Sequence, residues 1–224
     1  MMKTIYLVRH GQASFGSQNY DQLSSNGRQQ ARYLAKYWQQ KGISSEFYFS
    51  GQLERQIETA SIVSGLSSAS IEQLAGFNEY PFHQLFEVYR NNNRHSTDWR
   101  NVSKKEFQAT LLKLFEQDID KFLLDGGLLS WQTFAERCYQ TLIRLISQHA
   151  ESSSIAIFSS AGVIGALVQH VLSLTHANAA QRAFSLHNCA VTTLTLEKGV
   201  ITLSQFNQTN HLGSDLSSDL YSYL

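Results

Sequence analysis

Two spacings of apolar residues alternate along this chain. Ile5-Tyr6-Leu7-Val8 is a short apolar run rich in strand-forming residues and reads as a buried strand. Residues 12–21 are polar and rich in Gly and Ser, so they form a loop. Ser24 or Ser25 then caps a helix over about 26–41, with Ala31, Leu34, Ala35 and Trp38 at intervals of three and four, and Gly42 stops it. A second strand is predicted at 47–49, closed by Ser50-Gly51, followed by a helix over about 53–64 with Ile57, Ala60 and Ile62 or Val63 facing inward. A third strand falls near 70–73.

From 77 to 130 the character changes: aromatic and polar residues mix without a strand period, and Asn91-Asn92-Asn93 marks a loop. One helix is predicted at about 104–124, with Phe107, Leu111, Leu114, Phe115 and Ile119 on one side; the only proline, Pro81, sits at the entrance. Residues 80–130 read as a helical insert over the strand ends, a lid or collar. Ser130 then caps a long helix to about 149 with Phe134, Cys138, Leu142, Leu145 and Ile146 as its stripe. A buried strand at 155–158 leads through Ser159-Ser160-Ala161-Gly162 into a helix over 163–174. Strands at 190–196 and 200–206 meet in a hairpin at Lys198-Gly199, and the Ser-rich tail after Gly213 is expected to fray. The alternation predicts one α/β domain over 1–224, a three-layer αβα sandwich on a mostly parallel sheet.

Composition narrows the partners. The 18 basic and 18 acidic residues cancel, with no charge block to attract nucleic acid or an anionic membrane. Cys138 and Cys189 are too few for a disulfide framework and read as buried thiols. The sequence shows neither a leader before Lys3 nor a bilayer-length apolar run, so a reducing cytoplasmic setting is expected. Neither a zinc-spaced Cys/His set, an acidic magnesium cluster nor a Walker or Rossmann fingerprint occurs, so any chemistry is expected to need no metal or cofactor.

Candidate chemistry begins where the first strand stops, at Arg9-His10-Gly11. Ligands of open α/β sheets bind beyond the carboxyl ends of strands. Arg9 offers a permanently charged fork that matches phosphate, and His10 a nucleophile or proton carrier near neutral pH. The competing reading is a merely polar strand end. Arg55 opens a helix just after the second strand, so if the first two strands lie side by side, Arg9 and Arg55 converge on one anion. The alternative for Arg55 is a surface arginine near Glu58.

Leu7-Val8-Arg9-His10-Gly11-Gln12 resembles the signature of the histidine phosphatase superfamily, the phosphoglycerate-mutase-like proteins. The resemblance continues through Leu23-Ser24-x-x-Gly27-x-x-Gln30-Ala31, the stretch around Arg55 with Thr59-Ala60, and the C-terminal third. It implies phosphomonoester hydrolysis with His10 as nucleophile, Arg9 and Arg55 on the phosphoryl oxygens and Glu79 as proton donor, acting on a small phosphorylated substrate and releasing inorganic phosphate. Sugar-phosphate mutation and phospholigand binding without turnover are the alternatives. One position departs from the pattern: Ser160 stands where the family has a second histidine. The Ser160 hydroxyl and the amides of Ser160 and Ala161 are expected to bind phosphate, and His83, His187 and His211 are candidates to replace the lost imidazole, His83 first. His95, His149, His170 and His176 read as helix or loop residues.

Overall fold

The computed structural model describes residues 2–14, 21–92, 102–117, 129–213 and 222. In chain order the elements are β1 (Lys3–Arg9), α1 (Ser25–Lys41), β2 (Phe47–Ser50), α2 (Glu54–Ser64), β3 (Glu72–Gln73), α3 (Phe82–Asn92), α4 (Lys104–Glu116), α5 (Trp131–Gln148), β4 (Ser154–Ser159), α6 (Ala161–Leu172), α7 (His176–Ser185), β5 (Val191–Glu197) and β6 (Val200–Gln208). The strands form one mixed sheet in the order β3-β2-β4-β1-β5-β6. β1 with β4, β4 with β2 and β2 with β3 run parallel, whereas β5 pairs antiparallel with both β1 and β6. The α/β sandwich expected from the alternation is therefore present.

Strand side chains alternate between two cores, as the pleat requires. Ile5 and Leu7 of β1 and Ile155 and Ile157 of β4 pack with α5, α6 and α7. Val8, Ala156 and Phe158 point the other way, onto Ala31, Leu34 and Trp38 of α1 and Ala60 and Val63 of α2. Near-continuous apolar runs in β1 and β4 follow from this two-sided burial. Local chemistry sets the helix ends: Ser24, Ser103, Ser130 and Thr175 each cap a helix through the side-chain oxygen. Gly42, at φ 64°, closes α1. In the β5–β6 hairpin, Lys198 and Gly199 both take positive φ, as a two-residue turn of this twist needs.

Three points differ from the sequence reading. The condition that β1 and β2 lie side by side is not met; β4 lies between them, with Arg9 opposite Ser159 and Ser50 opposite Phe158. Helix α7 has no counterpart in the apolar pattern, because its buried face is only Ala179, Ala180 and Ala183. These small residues pack close to α6, where a Cβ on Gly165 would lie 2.7 Å from the Ala183 Cβ. α6 itself runs Ala161–Leu172 and ends at Ser173, whose φ of 52° turns the chain two residues before the expected stop. Residues 118–124 of the predicted insert helix lie outside the described residues, as do His95 and residues 214–221 of the tail.

The described part of the 80–130 stretch holds helices α3 and α4. Its entrance packs as aromatic edges: Tyr80 lies 5.4 Å from Trp131, and Phe115 4.8 Å from Trp131 at 86°. The polar atoms of this cluster are paired, Trp131 Nε1 donating to Gln169 Oε1 at 2.7 Å and Tyr80 Oη to the Leu129 carbonyl at 2.9 Å. Both cysteines are buried free thiols, and burial pushes Cys138 up to about 12. No helix among the described residues is long and apolar enough to cross a membrane.

Candidate active site

The turn after β1 is fixed by backbone approach. A Cβ on Gly11 would lie 2.4 Å from the Gly27 carbonyl oxygen, and a Cβ on Gly27 2.2 Å from the Gln12 carbonyl oxygen. Only two glycines let the loop and the first turn of α1 touch. Gln30 accepts from Gln12 N (2.9 Å), Ser24 Oγ donates to Gln12 Oε1 (2.8 Å), and Gly11 N donates to Thr59 Oγ1 (3.0 Å). Behind His10, Asn188 Nδ2 and Cys189 N both donate to the His10 carbonyl at 3.2 Å. Asn188 is held in turn by Ser222, which also accepts from Gln30 Nε2 at 3.0 Å. The tail was expected to fray, yet this residue is anchored.

On that platform His10 is nearly sealed from solvent. Its Nδ1 sits 2.7 Å from the Gly11 carbonyl, an acceptor only, so Nδ1 carries the proton. Nε2 is left with its lone pair, which accepts from Arg55 Nε at 3.1 Å. Burial, then the charges of Arg55 and Arg9, hold the imidazole well below its ordinary pKa, against the Gly11 bond; the ring is neutral at neutral pH. Arg55 is itself anchored by Asp21, Nη1 to Oδ1 at 2.5 Å, and the other carboxylate oxygen accepts from Glu54 N at 2.8 Å where α2 begins. Arg9 is buried and donates through Nη1 to the Leu186 carbonyl.

The turn after β4 is built differently. Ser160 is fully buried, and its hydroxyl accepts from Gln56 Nε2 at 2.7 Å. Gln56 therefore fills the place beside Ser160, the position expected for His83. His83 is exposed on α3. The expectation that the Ser160 hydroxyl touches a phosphoryl oxygen also fails, since an atom sealed behind a carboxamide offers a ligand no surface. Ala161, at 7% exposure, opens α6. The next amide, Gly162 N, donates to Glu79 Oε1 at 3.0 Å, as Tyr80 N does at 2.9 Å. Burial raises the Glu79 pKa above the ordinary carboxyl value, opposed in turn by Arg55, the two amide bonds and Arg9. His10 and Glu79 thus feel the same two guanidinium groups, and the fold brings Arg9, His10, Arg55 and Glu79 into one site.

The other histidines lie elsewhere. His187 feels the charge of Arg9, but Asn207 Oδ1 takes its backbone N–H at 2.9 Å. Burial holds the pKa of His211 at about 4, and its ring lies 6.5 Å from that of Tyr37. His149 packs on Phe47, His170 stacks on Tyr139 and His176 reaches Gln132. Asp21, Gln56, Thr59 and Asn188 were not singled out by sequence. Of these only Thr59 lay in a recognised motif; the rest are common polar residues whose roles depend on strand order. Among the described residues, no group of three or more His, Cys, Asp or Glu side chains is placed to hold a metal ion.

A family model described as the histidine phosphatase superfamily (branch 1) matches residues 5–209, and the chain belongs to that superfamily, an enzyme of the phosphomonoesterase type. Solved structures share the fold. A phosphoserine phosphatase from Entamoeba histolytica, in a histidine-to-alanine mutant bound to phosphoserine, aligns with TM-score 0.70 at 21% identity, covering 94% of this chain and 99% of that one. A phosphoglycerate mutase from Bacillus anthracis gives 0.68 at 16% identity over 94% and 95%. A mycobacterial glucosyl-3-phosphoglycerate phosphatase with inorganic phosphate gives 0.66 at 20% identity over 93% and 99%. A search of curated proteins returns no match.

Proposed function

We propose that the protein hydrolyses small phosphate monoesters through a phosphohistidine at His10. The observation that carries this reading is a buried, neutral imidazole whose Nε2 lone pair faces the Arg55 guanidinium. An entering phosphoryl group takes over the Arg55 Nε–H, which frees Nε2 for in-line attack on phosphorus. Arg9 and Arg55 neutralise the equatorial oxygens, and the Ala161 N–H at the opening of α6 is the donor on the β4 side. As the phosphorus–oxygen ester bond breaks, Glu79 gives its proton to the leaving oxygen. Glu79, now a carboxylate, takes a proton from water as that water cleaves the phosphorus–nitrogen bond. Phosphate leaves, and His10 and Glu79 regain their starting states. Structural neighbours bound to phosphoserine, 3-phosphoglycerate and inorganic phosphate support a small phosphorylated ligand. Two buried free thiols fit a cytoplasmic setting.

Turnover is slow in this reading, since a missing preorganised donor costs about 10²–10³ in rate. The test is His10→Ala with a generic aryl phosphate, next to wild type on rapid quench. Wild type should form an acid-labile phosphoprotein, and the variant should lose it together with about 10³-fold or more of kcat. Near-native turnover in the variant would remove His10 as nucleophile. The neutral Gln56–Ser160 pair favours a second reading, phospholigand binding without turnover. Calorimetric phosphate binding by a wild type that shows no hydrolysis and no phosphoprotein would select it.

A further inference from the structure

Gln56 touches three site-bearing segments at once, and its own backbone adjoins Arg55. Its Nε2 donates to Ser160 Oγ at 2.7 Å and to the Phe77 carbonyl at 3.2 Å, so both amide hydrogens are used. Phe77 O is an acceptor only, which fixes the carboxamide with nitrogen inward. The oxygen turns back toward Leu53 N, 3.4 Å away at the start of α2. Gln56, Phe77 and Ser160 are all fully buried. Gly51 makes the room: a Cβ there would lie 2.0 Å from Gln56 Oε1.

Phe77 is two residues before Glu79, and its carbonyl takes a second donor, Ser159 Oγ at 2.7 Å, from the last residue of β4. Ser160, the other acceptor, is two residues before Gly162, whose amide holds the Glu79 carboxyl. Gln56 therefore ties together the segment that carries Glu79, the helix start that holds it, and the helix that carries Arg55. In water a carboxamide gains little from such bonds, but a buried network of this kind fixes one geometry.

We propose, building on the phosphatase reading above, that Gln56 is a positioning residue for proton donation: it sets the Glu79 carboxyl relative to the arginine-held phosphoryl group. Its loss withdraws the proton from the leaving oxygen and leaves attack by His10 largely intact. The dependence of rate on leaving-group acidity reports this, because a nitrophenolate leaves without a proton and an unsubstituted phenolate needs one. A general loosening of the fold would slow every ester by the same factor.

The experiment measures kcat/KM, which reports the steps up to loss of the phenol and not the later hydrolysis of the phosphohistidine, for a series of para-substituted phenyl phosphates on wild type, Gln56→Met, Ser159→Ala, Glu79→Gln and the Gln56→Met/Glu79→Gln double variant. Met keeps the length of Gln56 and removes both donors, while Ser159→Ala removes the other donor to Phe77 O and decides alone if the Met variant does not fold. The expected result is a steeper dependence on phenol acidity in both single variants. Phenyl phosphate should lose about tenfold more rate than 4-nitrophenyl phosphate, and Gln56→Met should add little once Glu79 is Gln. Equal loss across the series, or no loss, overturns the proposal while leaving the phosphatase reading standing. An unchanged dependence in Glu79→Gln removes Glu79 as the acid and this proposal with it, a failure recognisable because it appears in that variant itself.

Discussion

β1 and β4 lie side by side in parallel with Arg9 opposite Ser159, yet the turns that leave them differ in kind. The β1 end carries its chemistry in side chains: an arginine, a histidine, and a glycine that lets the loop close on α1. The β4 end has small neutral side chains and acts through backbone, since Gly162 N holds the Glu79 carboxyl while Gln56 covers Ser160. Each end also has a glycine at which an added Cβ would meet a neighbour, but the neighbours differ in kind. At Gly11 the obstacle is the backbone of Gly27; at Gly162 it is a side chain, Glu79 Oε1 at 2.3 Å, with Phe82 at 3.0 Å. Rigid backbone opposes the first substitution, while a movable carboxyl can yield to the second.

The largest effect should come from Gly11→Ala. Neither carbonyl nor helix turn can retreat from the new methyl without breaking the Gln12–Gln30 and Gly11–Thr59 bonds that shape the loop. Overpacking against backbone costs about 3 kcal/mol, which for a domain of this size lowers Tm by roughly 6–12 °C. Thermal unfolding measures this directly, and turnover should fall with it. A variant with wild-type Tm would show that the glycine pair is not the constraint described.

Gly162→Ala should be milder and of the opposite character. The methyl displaces the Glu79 carboxyl from the amide that holds it and leaves the packing of α6 largely in place. Tm should move by no more than about 3 °C, while hydrolysis of phenyl phosphate falls by about 10–10². Loss of stability without loss of rate would reverse the contrast between the two ends.

The same contrast governs how much of the molecule was legible in the sequence. Arg9, His10 and Arg55 could be read because each is a chemistry-bearing residue at a strand end or helix start, where periodicity alone places the ligand edge. Gln30 and Thr59 lay inside recognised motifs, though their task is to hold a loop rather than touch substrate. Gln56 could not be read: a glutamine in a first helical turn is ordinary until strand order brings β4 and Phe77 beside it. For the same reason Ser160 looked like a phosphate ligand, whereas its buried hydroxyl is taken by the Gln56 carboxamide. Helix α7 escaped because alanine packing on Gly165 leaves no large apolar stripe. The anchoring of Ser222 by Asn188 and Gln30 joins residues from three distant parts of the chain, which no local pattern encodes.

The smallest effect, and the one that sets the two ends against each other in one measurement, is in the pH dependence. In the proposed mechanism His10 attacks as the free base, so the rate should fall as pH drops through its pKa. Burial and the two arginines place that limb well below the ordinary histidine value of 6.5. In the same mechanism Glu79 is the acid, so the rate should fall as pH rises through its pKa, which burial lifts above the ordinary carboxyl value. Phenyl phosphate, which needs both groups, should give a bell-shaped kcat/KM profile with its maximum on the acid side of neutrality. With 4-nitrophenyl phosphate the proton matters little, so the alkaline limb should flatten while the acid limb stays. Glu79→Gln should flatten it for both substrates. If the alkaline limb survives in that variant, another group supplies the proton. If the acid limb moves up toward 6.5 in wild type, the imidazole is not held neutral as its surroundings require.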